Sequence, residues 1–188
     1  MRKFPLISLR KLSPGLKKIK KKNNEMISAG IITVSDKGSQ GKREDLSGPA
    51  IAEMLAGIAI EIKQTIIIPD EKDQIQEAII NFADVQKLDL ILTTGGTGVS
   101  PRDLTPDATL AVIDKEVPGM AEAMRQKSLL ITPHAMISRA VAGIRGRCLI
   151  INLPGSPKSV KENLAVILPA LKHAIEKIKG DDSECASE

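Results

Sequence analysis

Four short stretches of the sequence concentrate residue types that hold anions and hard cations: Ser35-Asp36, Pro69-Asp70, Thr93-Thr94-Gly95-Gly96-Thr97-Gly98 and Asn152-Leu153-Pro154-Gly155-Ser156. Glycines at 95, 96 and 98 permit positive φ and bring backbone amides close to an anion, while Thr93, Thr94 and Thr97 add hydroxyl donors. Just beyond, Pro101-Arg102-Asp103 sets a guanidinium able to grip phosphate oxygens beside a carboxylate able to hold a bridging cation. Two carboxylates, Asp70 and Asp103, together with a Gly-Thr loop are the parts that magnesium-assisted phosphoryl or nucleotidyl transfer needs. Each part also has a plainer reading. The loop can be a tight structural turn, Asp70 an N-cap at a strand-to-helix junction, and Asp103 a cap or the ion partner of Arg102. The loop is neither a P-loop, lacking its Lys-Ser/Thr pair, nor the G-x-G-x-x-G turn of a dinucleotide fold.

These residues act together only if the chain brings them to one rim, and the pattern of elements predicts that it does. Apolar runs at 31–34, 60–68, 88–93 and 148–152 read as strands, and they alternate with helical patterns, the signature of an α/β domain with a mostly parallel sheet between two helix layers. The isoleucine-rich run 60–68 reads as a strand covered on both faces. Ser47 can cap a helix through Leu55 that carries Pro49 in its first turn. A further helix is expected over 71–85, with Ile75, Ile79 and Phe82 on one face, and others begin at Thr105-Pro106, at Pro118-Gly119 and over 135–142. Residues 38–41 read as a polar loop. In the last helix Val160, Leu164, Ile167, Leu168, Leu171, Ile175 and Ile178 recur at steps of three and four, a stripe for core or subunit interface, with Pro169 expected to kink or divide it. In an open parallel sheet, ligands gather at the carboxyl ends of strands, which is where all four stretches fall.

Composition narrows the field further. The chain of 188 residues, 42% apolar and 27% charged, is matched to one globular domain with a core. No eighteen consecutive apolar residues occur, so no membrane span is expected. Cys148 lies in an apolar run and Cys185 in a polar tail, which makes no disulfide framework and fits a reducing, cytoplasmic setting. His134 and His173 share no ligand spacing with each other or with the cysteines, against a structural zinc site, and neither is needed as a general base. With Phe4 and Phe82 the only aromatic rings, base stacking on single-stranded nucleic acid has almost no platform. The formal charge of +4 comes from residues 1–22, which hold nine Lys/Arg; residues 26–188 hold 18 basic and 22 acidic residues, a formal charge of −4. No nucleic-acid partner is expected. Residues 1–25, without a secretory pattern, are expected to be a basic flexible extension and 181–188 a disordered acidic tail, leaving 26–180 as the expected domain.

The string from Thr93 to Gly98 followed by Pro101-Arg102-Asp103-Leu104-Thr105-Pro106-Asp107-Ala108-Thr109 resembles the signature of the molybdopterin adenylyltransferase family. That family includes bacterial molybdenum-cofactor proteins of the Mog/MoaB type and the G domains of gephyrin and its plant counterpart. Thr33-Val34-Ser35-Asp36, Asp45-Leu46-Ser47-Gly48-Pro49, Glu116-Val117-Pro118-Gly119-Met120, Ser138-Arg139 and Ile150 to Lys158 extend the resemblance over roughly residues 28–180, in order. It implies a three-layer α/β/α fold assembled as a homotrimer, transfer of AMP from ATP to the phosphate of molybdopterin with Mg2+, and a separate downstream enzyme that inserts molybdate. It implies Asp70 and Asp103 as the catalytic, metal-binding carboxylates. Thr94, Gly95, Gly96, Thr97, Gly98, Arg102 and Thr105 would serve the phosphates. Ser35, Asp36, Asn152, Pro154, Gly155 and Ser156 would surround nucleotide or pterin, as would Glu116 and Ser138. A molybdopterin-binding or scaffold protein of the same fold, or a nucleotide-sensing module in which Asp70 only caps its helix, stands as the alternative.

Overall fold

A computed structural model of the chain describes residues 26–181; the expectations for residues 1–25 and 182–188 lie outside them. Four runs rich in isoleucine and leucine lie side by side in parallel: β1 (Ile27–Val34), β2 (Ile60–Ile68), β3 (Leu90–Thr94) and β6 (Cys148–Leu153). Two short antiparallel strands, β4 (Lys115–Glu116) and β5 (Ala142–Arg145), complete a six-stranded sheet of order β2-β1-β3-β6-β5-β4. The central strands are buried on both faces, as neighbours covered by helices on either side must be. On one face α2 (Ser47–Leu55), α5 (Pro118–Leu129) and α6 (Pro157–Ile178) pack through Ile51, Leu55, Met124, Leu164 and Leu171 onto Ile31, Leu92 and Ile151. On the other, α3 (Lys72–Ile80) and α4 (Thr105–Leu110) pack through Ile75, Ile79 and Ala108 onto Ile32, Ile91 and Ile150. Phe82 completes that layer against β1, where a side chain at Gly30 would overlap its ring. The fold is the expected α/β/α sandwich, and no described helix is long and apolar enough to cross a membrane.

Several local expectations change. β2 is an edge strand whose outward positions Glu61, Lys63, Thr65 and Ile67 are exposed in strict alternation, so its isoleucines are not covered on both faces. Residues expected as a loop at 38–41 contribute to a short helix, α1 (Asp36–Ser39), capped by the Ser35 hydroxyl, which accepts the Gly38 N–H at 3.1 Å. Beyond Ile80 the helix continues with a wider π turn over Asn81–Val85. The helix expected over 135–142 is absent: Pro133 opens a 3-10 turn, Pro133–Ile137, and Ala142 starts β5. α6 runs undivided through Pro169, with Val160, Leu164, Ile167, Leu171 and Ile175 buried, so its stripe is core.

Candidate active site

The strand register levels the four chemically dense stretches. Val34 pairs with Ile68, Thr33 with Thr94, and Thr94 with Leu153, so Ser35-Asp36, Pro69-Asp70, the glycine loop and the segment 154–156 leave the sheet at one rim. The loop is shaped by two left-handed glycines, Gly95 (φ 99°) and Gly96 (φ 61°). A side chain at Gly95 would overlap the Val34 carbonyl, and one at Gly96 would lie 2.6 Å from Thr105 Oγ1. From outside, the Thr94 hydroxyl donates to the Pro154 carbonyl at 2.7 Å, the Gly95 N–H to Leu153 O at 3.2 Å, and the Thr105 hydroxyl to Gly95 O at 2.8 Å. By contrast the N–H groups of Gly96, Thr97 and Gly98 have no acceptor among the described residues. Successive unpaired amides on a glycine turn form a cradle for an anion.

The two carboxylates lie against this loop. Asp70 Oδ1 is 3.1 Å from where a Cβ on Gly96 would stand, and Asp103 Oδ2 is 2.9 Å from the corresponding point on Gly98. Asp70 does not cap α3, whose N-cap is Glu71 and which has no side-chain cap. Its Oδ2 accepts the Asp36 N–H at 2.8 Å, and its own N–H donates to Asp36 Oδ1 at 3.0 Å, a reciprocal pair joining the ends of β1 and β2. Burial pushes the Asp70 carboxyl above its ordinary value; the Asp36 amide opposes this, and the negative charges of Asp36 and Asp103 reinforce it. Asp103 accepts the Ser100 N–H at 2.7 Å and has no ion pair with Arg102.

Arg102 turns the other way. Its guanidinium grips both oxygens of Asp36 (2.8 to 3.2 Å) and Glu71 Oε1 (2.9 Å), and it holds the Asp36 carboxyl below the ordinary range. Arg139 secures the opposite side of the loop by donating to Gly98 O, to the Asp103 carbonyl and to both oxygens of Asp107.

A cavity of about 400 Å3 opens beside the loop. Ser35, Asp70, Thr94, Gly95, Gly96, Gly155 and Ser156 are among the residues that line it. A second, of about 240 Å3, lies across the loop and takes Thr97, Gly98, Ser138 and Pro154. Two expected ligand residues instead support the site from within. Asn152 is fully buried, its amide donating to Thr93 and Thr109 hydroxyls at 2.9 Å each and accepting the Val141 N–H. Thr105 is likewise buried, its hydroxyl held by Gly95 O. Glu116 falls on the far edge strand, separated from β3 by β5 and β6, and does not join the site.

Sequence reasoning passed over Arg43 and Glu44 and, as a site residue, Asp45, all of which line the larger cavity. Asp45 accepts the Thr33 hydroxyl at 2.7 Å and the N–H groups of Ser47 and Gly48 at 2.9 and 3.0 Å, so it, and not Ser47, caps α2. The signal was an Asp two residues ahead of Ser-Gly-Pro at a helix start. Arg43 carried no signal, being one cation in a polar loop.

A metal is tested by the donors present. Asp70 and Asp103 each accept one backbone N–H through Oδ2, leaving hard oxygen lone pairs, and among the described residues no group of three or more His, Cys, Asp or Glu could hold a metal ion. Two carboxylates at a phosphate cradle fit magnesium, which completes its shell with water and substrate phosphates, better than a metal needing an all-protein cage.

Comparison with known proteins accords with this geometry. Residues 30–173 match the family profile described as a probable molybdopterin binding domain. The molybdopterin adenylyltransferase of Helicobacter pylori is 43% identical over 159 residues, 84% of this chain and 90% of that protein. Gephyrin of Dictyostelium discoideum is 46% identical over 168 residues, which cover 82% of this chain and 23% of gephyrin. Among solved structures, the molybdopterin biosynthesis enzyme MoaB of Thermus thermophilus superposes with a TM-score of 0.79 at 51% identity, over 83% of this chain and 98% of that one.

Proposed function

The chain belongs to the molybdopterin-binding family of molybdenum cofactor biosynthesis, and from that membership we propose that it is a molybdopterin adenylyltransferase, using ATP and Mg2+ in the cytoplasm as a homotrimer. The observation that carries the reading is the placement of Asp70 against Gly96 and of Asp103 against Gly98, in a loop where the amides of residues 96 to 98 lack partners among the described residues. A site that binds an anion needs the amides alone; two carboxylates beside them make sense where a cation bridges protein and phosphate.

The larger cavity suits the triphosphate, with the amide of Gly96 and the exposed guanidinium of Arg43 meeting its charge, and the unpaired amides of Thr97 and Gly98 follow on the side of the smaller cavity. The smaller cavity, lined by Ser138, Thr97 and Ser159 among apolar groups, suits the flat pterin with its hydrogen-bonding edge. A phosphate oxygen of molybdopterin attacks the α-phosphorus of ATP, the bond from that phosphorus to the bridging oxygen breaks, and pyrophosphate leaves. The nucleophile is already an anion, so no histidine or serine has to be deprotonated; the protein's task is positioning and charge stabilisation. Asp70 and Asp103 would hold magnesium, whose chemistry there is neutralisation of triphosphate charge and of the leaving group. Buried Cys148, a free thiol whose pKa burial pushes up to about 12, is inert and compatible with a reducing compartment. A partner enzyme would then insert molybdate into the adenylylated product.

Pyrophosphate release from ATP, with Mg2+ and with or without molybdopterin, tests the reading. Release that depends on molybdopterin and is abolished in Asp103→Ala, with folding retained, is the expected result. Stoichiometric molybdopterin binding without any release would replace it by the binding or scaffold role.

A further inference from the structure

We infer that Arg102 is a positioning residue and not a phosphate ligand: with Asp36 and Glu71 it straps the loops that follow β1, β2 and β3 together and fixes Asp70 relative to Asp103. The inference rests on the adenylyltransferase reading for what the strap serves, but the strap stands on geometry alone. Nε, Nη1 and Nη2 of Arg102 are all engaged, two of them in a fork on Asp36 and the third on Glu71. To become a phosphate ligand, Arg102 would have to leave both carboxylates, taking the only cation from Asp36 and Glu71 among the ion pairs of the described residues. Asp36 in turn is tied to Asp70 by the reciprocal pair of backbone-to-carboxylate bonds.

Covalent adjacency of Arg102 and Asp103 extends the connection: Asp103, Arg102, Asp36 and Asp70 form one continuous chain of bonds from one carboxylate to the other. The strap is also half-exposed, with 49% of the Arg102 side chain and 40% of that of Asp36 accessible. Exposed ion pairs add little to stability, so its removal should leave the fold intact and act on geometry.

The test is a double-mutant cycle on the full chain with Arg102→Ala, Asp36→Asn and the pair together. Asp36→Asn keeps an oxygen to accept the Asp70 N–H but loses the charge that Arg102 grips. Expected is a fall in molybdopterin-dependent turnover of roughly tenfold to a hundredfold in each single variant. The double variant should be no worse than the weaker single one, and affinity for α,β-methylene ATP with Mg2+, read by calorimetry, should change by less than about threefold. Without any substrate, the amide hydrogens of Asp36 and Asp70 should exchange faster in Arg102→Ala.

A drop in nucleotide affinity of about tenfold or more in Arg102→Ala alone, with additive effects in the double variant, would make Arg102 a phosphate ligand and overturn the inference. So would unchanged turnover in either single variant, or unchanged exchange at the two amides. Should the unsubstituted protein release no pyrophosphate, the adenylyltransferase reading fails, and the exchange measurement still decides the strap by itself.

Discussion

Asp70 was ambiguous at the level of residue type, since Asp after Pro at a strand end is a common helix cap. The geometry separates the roles: Glu71 is the N-cap of α3, and the Asp70 carboxylate faces Asp36 and the glycine loop. Its proton affinity gives a prediction with a definite sign. Burial, then the charges of Asp36 and Asp103, raise its pKa in the folded protein above the ordinary 3.8 despite the opposing Asp36 amide. A carboxyl raised on folding favours the folded state below the unfolded value, and that advantage disappears as pH rises through the folded pKa; ionised Asp70 therefore weakens the fold at neutral pH. Asp70→Asn should be at least as stable as the parent in urea at pH 7, while turnover falls about a hundredfold or more. A clear loss of stability would return Asp70 to a structural role. In the metal-free protein Asp70 takes up its proton earlier than an ordinary aspartate as pH falls. Arg43 gives the complementary prediction: Arg43→Ala should raise KM for ATP several-fold and leave kcat within about twofold, since a flexible exposed cation contributes to binding more than to the transition state.

At the scale of elements, the glycine loop is held by residues buried behind it. Asn152 on β6 ties β3, α4 and the chain ahead of β5 through its buried amide. Asn152→Ala would remove the partner of the Thr93 hydroxyl and of the Val141 N–H and leave the Thr109 hydroxyl only its bond to Thr105 O, at a cost of about 2–3 kcal/mol. Chemical denaturation should show that loss, with nucleotide affinity of the folded fraction near the parent's; preserved stability with lost affinity would mean that Asn152 meets the ligand after all. What the sequence made legible follows the same division. Strands ending in Ser-Asp, Pro-Asp, Thr-Gly-Gly or Asn-Leu-Pro-Gly announce a rim, because those residues are costly inside a sheet and useful where it ends. β5 was not legible, since Ala142-Gly143 carries no strand signal and the preceding Ala135 to Ile137 suggested a helix. The isoleucines of β2 concealed their alternation, so an edge strand resembled an interior one. The partners of Arg102 were beyond reach for a different reason: Asp36 and Glu71 lie 66 and 31 residues away, and only the parallel register brings them to it.

Over the whole molecule, one region of the described surface is out of keeping with the rest. Leu129 ends α5 and Leu130 and Ile131 follow it, and Met136 and Ile137 lie in the 3-10 turn packed beside it; all five are exposed, Leu130 to 79% and Met136 to 73%. Neighbouring apolar side chains of this number on a charged surface mark a contact with another protein. The homotrimer proposed above supplies one, because a chain meeting copies of itself would cover the patch in every copy. Burying each such side chain contributes about 1.5–3 kcal/mol, enough that two charges placed there should break the assembly. Leu130→Glu combined with Met136→Glu is expected to convert the protein to monomers in sedimentation velocity without loss of secondary structure. The same segment carries Thr132, His134 and Ser138 into the smaller cavity beside the glycine loop. Dissociation should therefore weaken molybdopterin binding while ATP binding in the larger cavity persists. A doubly charged variant that remains trimeric would move the interface elsewhere, and one that is monomeric with full pterin affinity would uncouple assembly from the site.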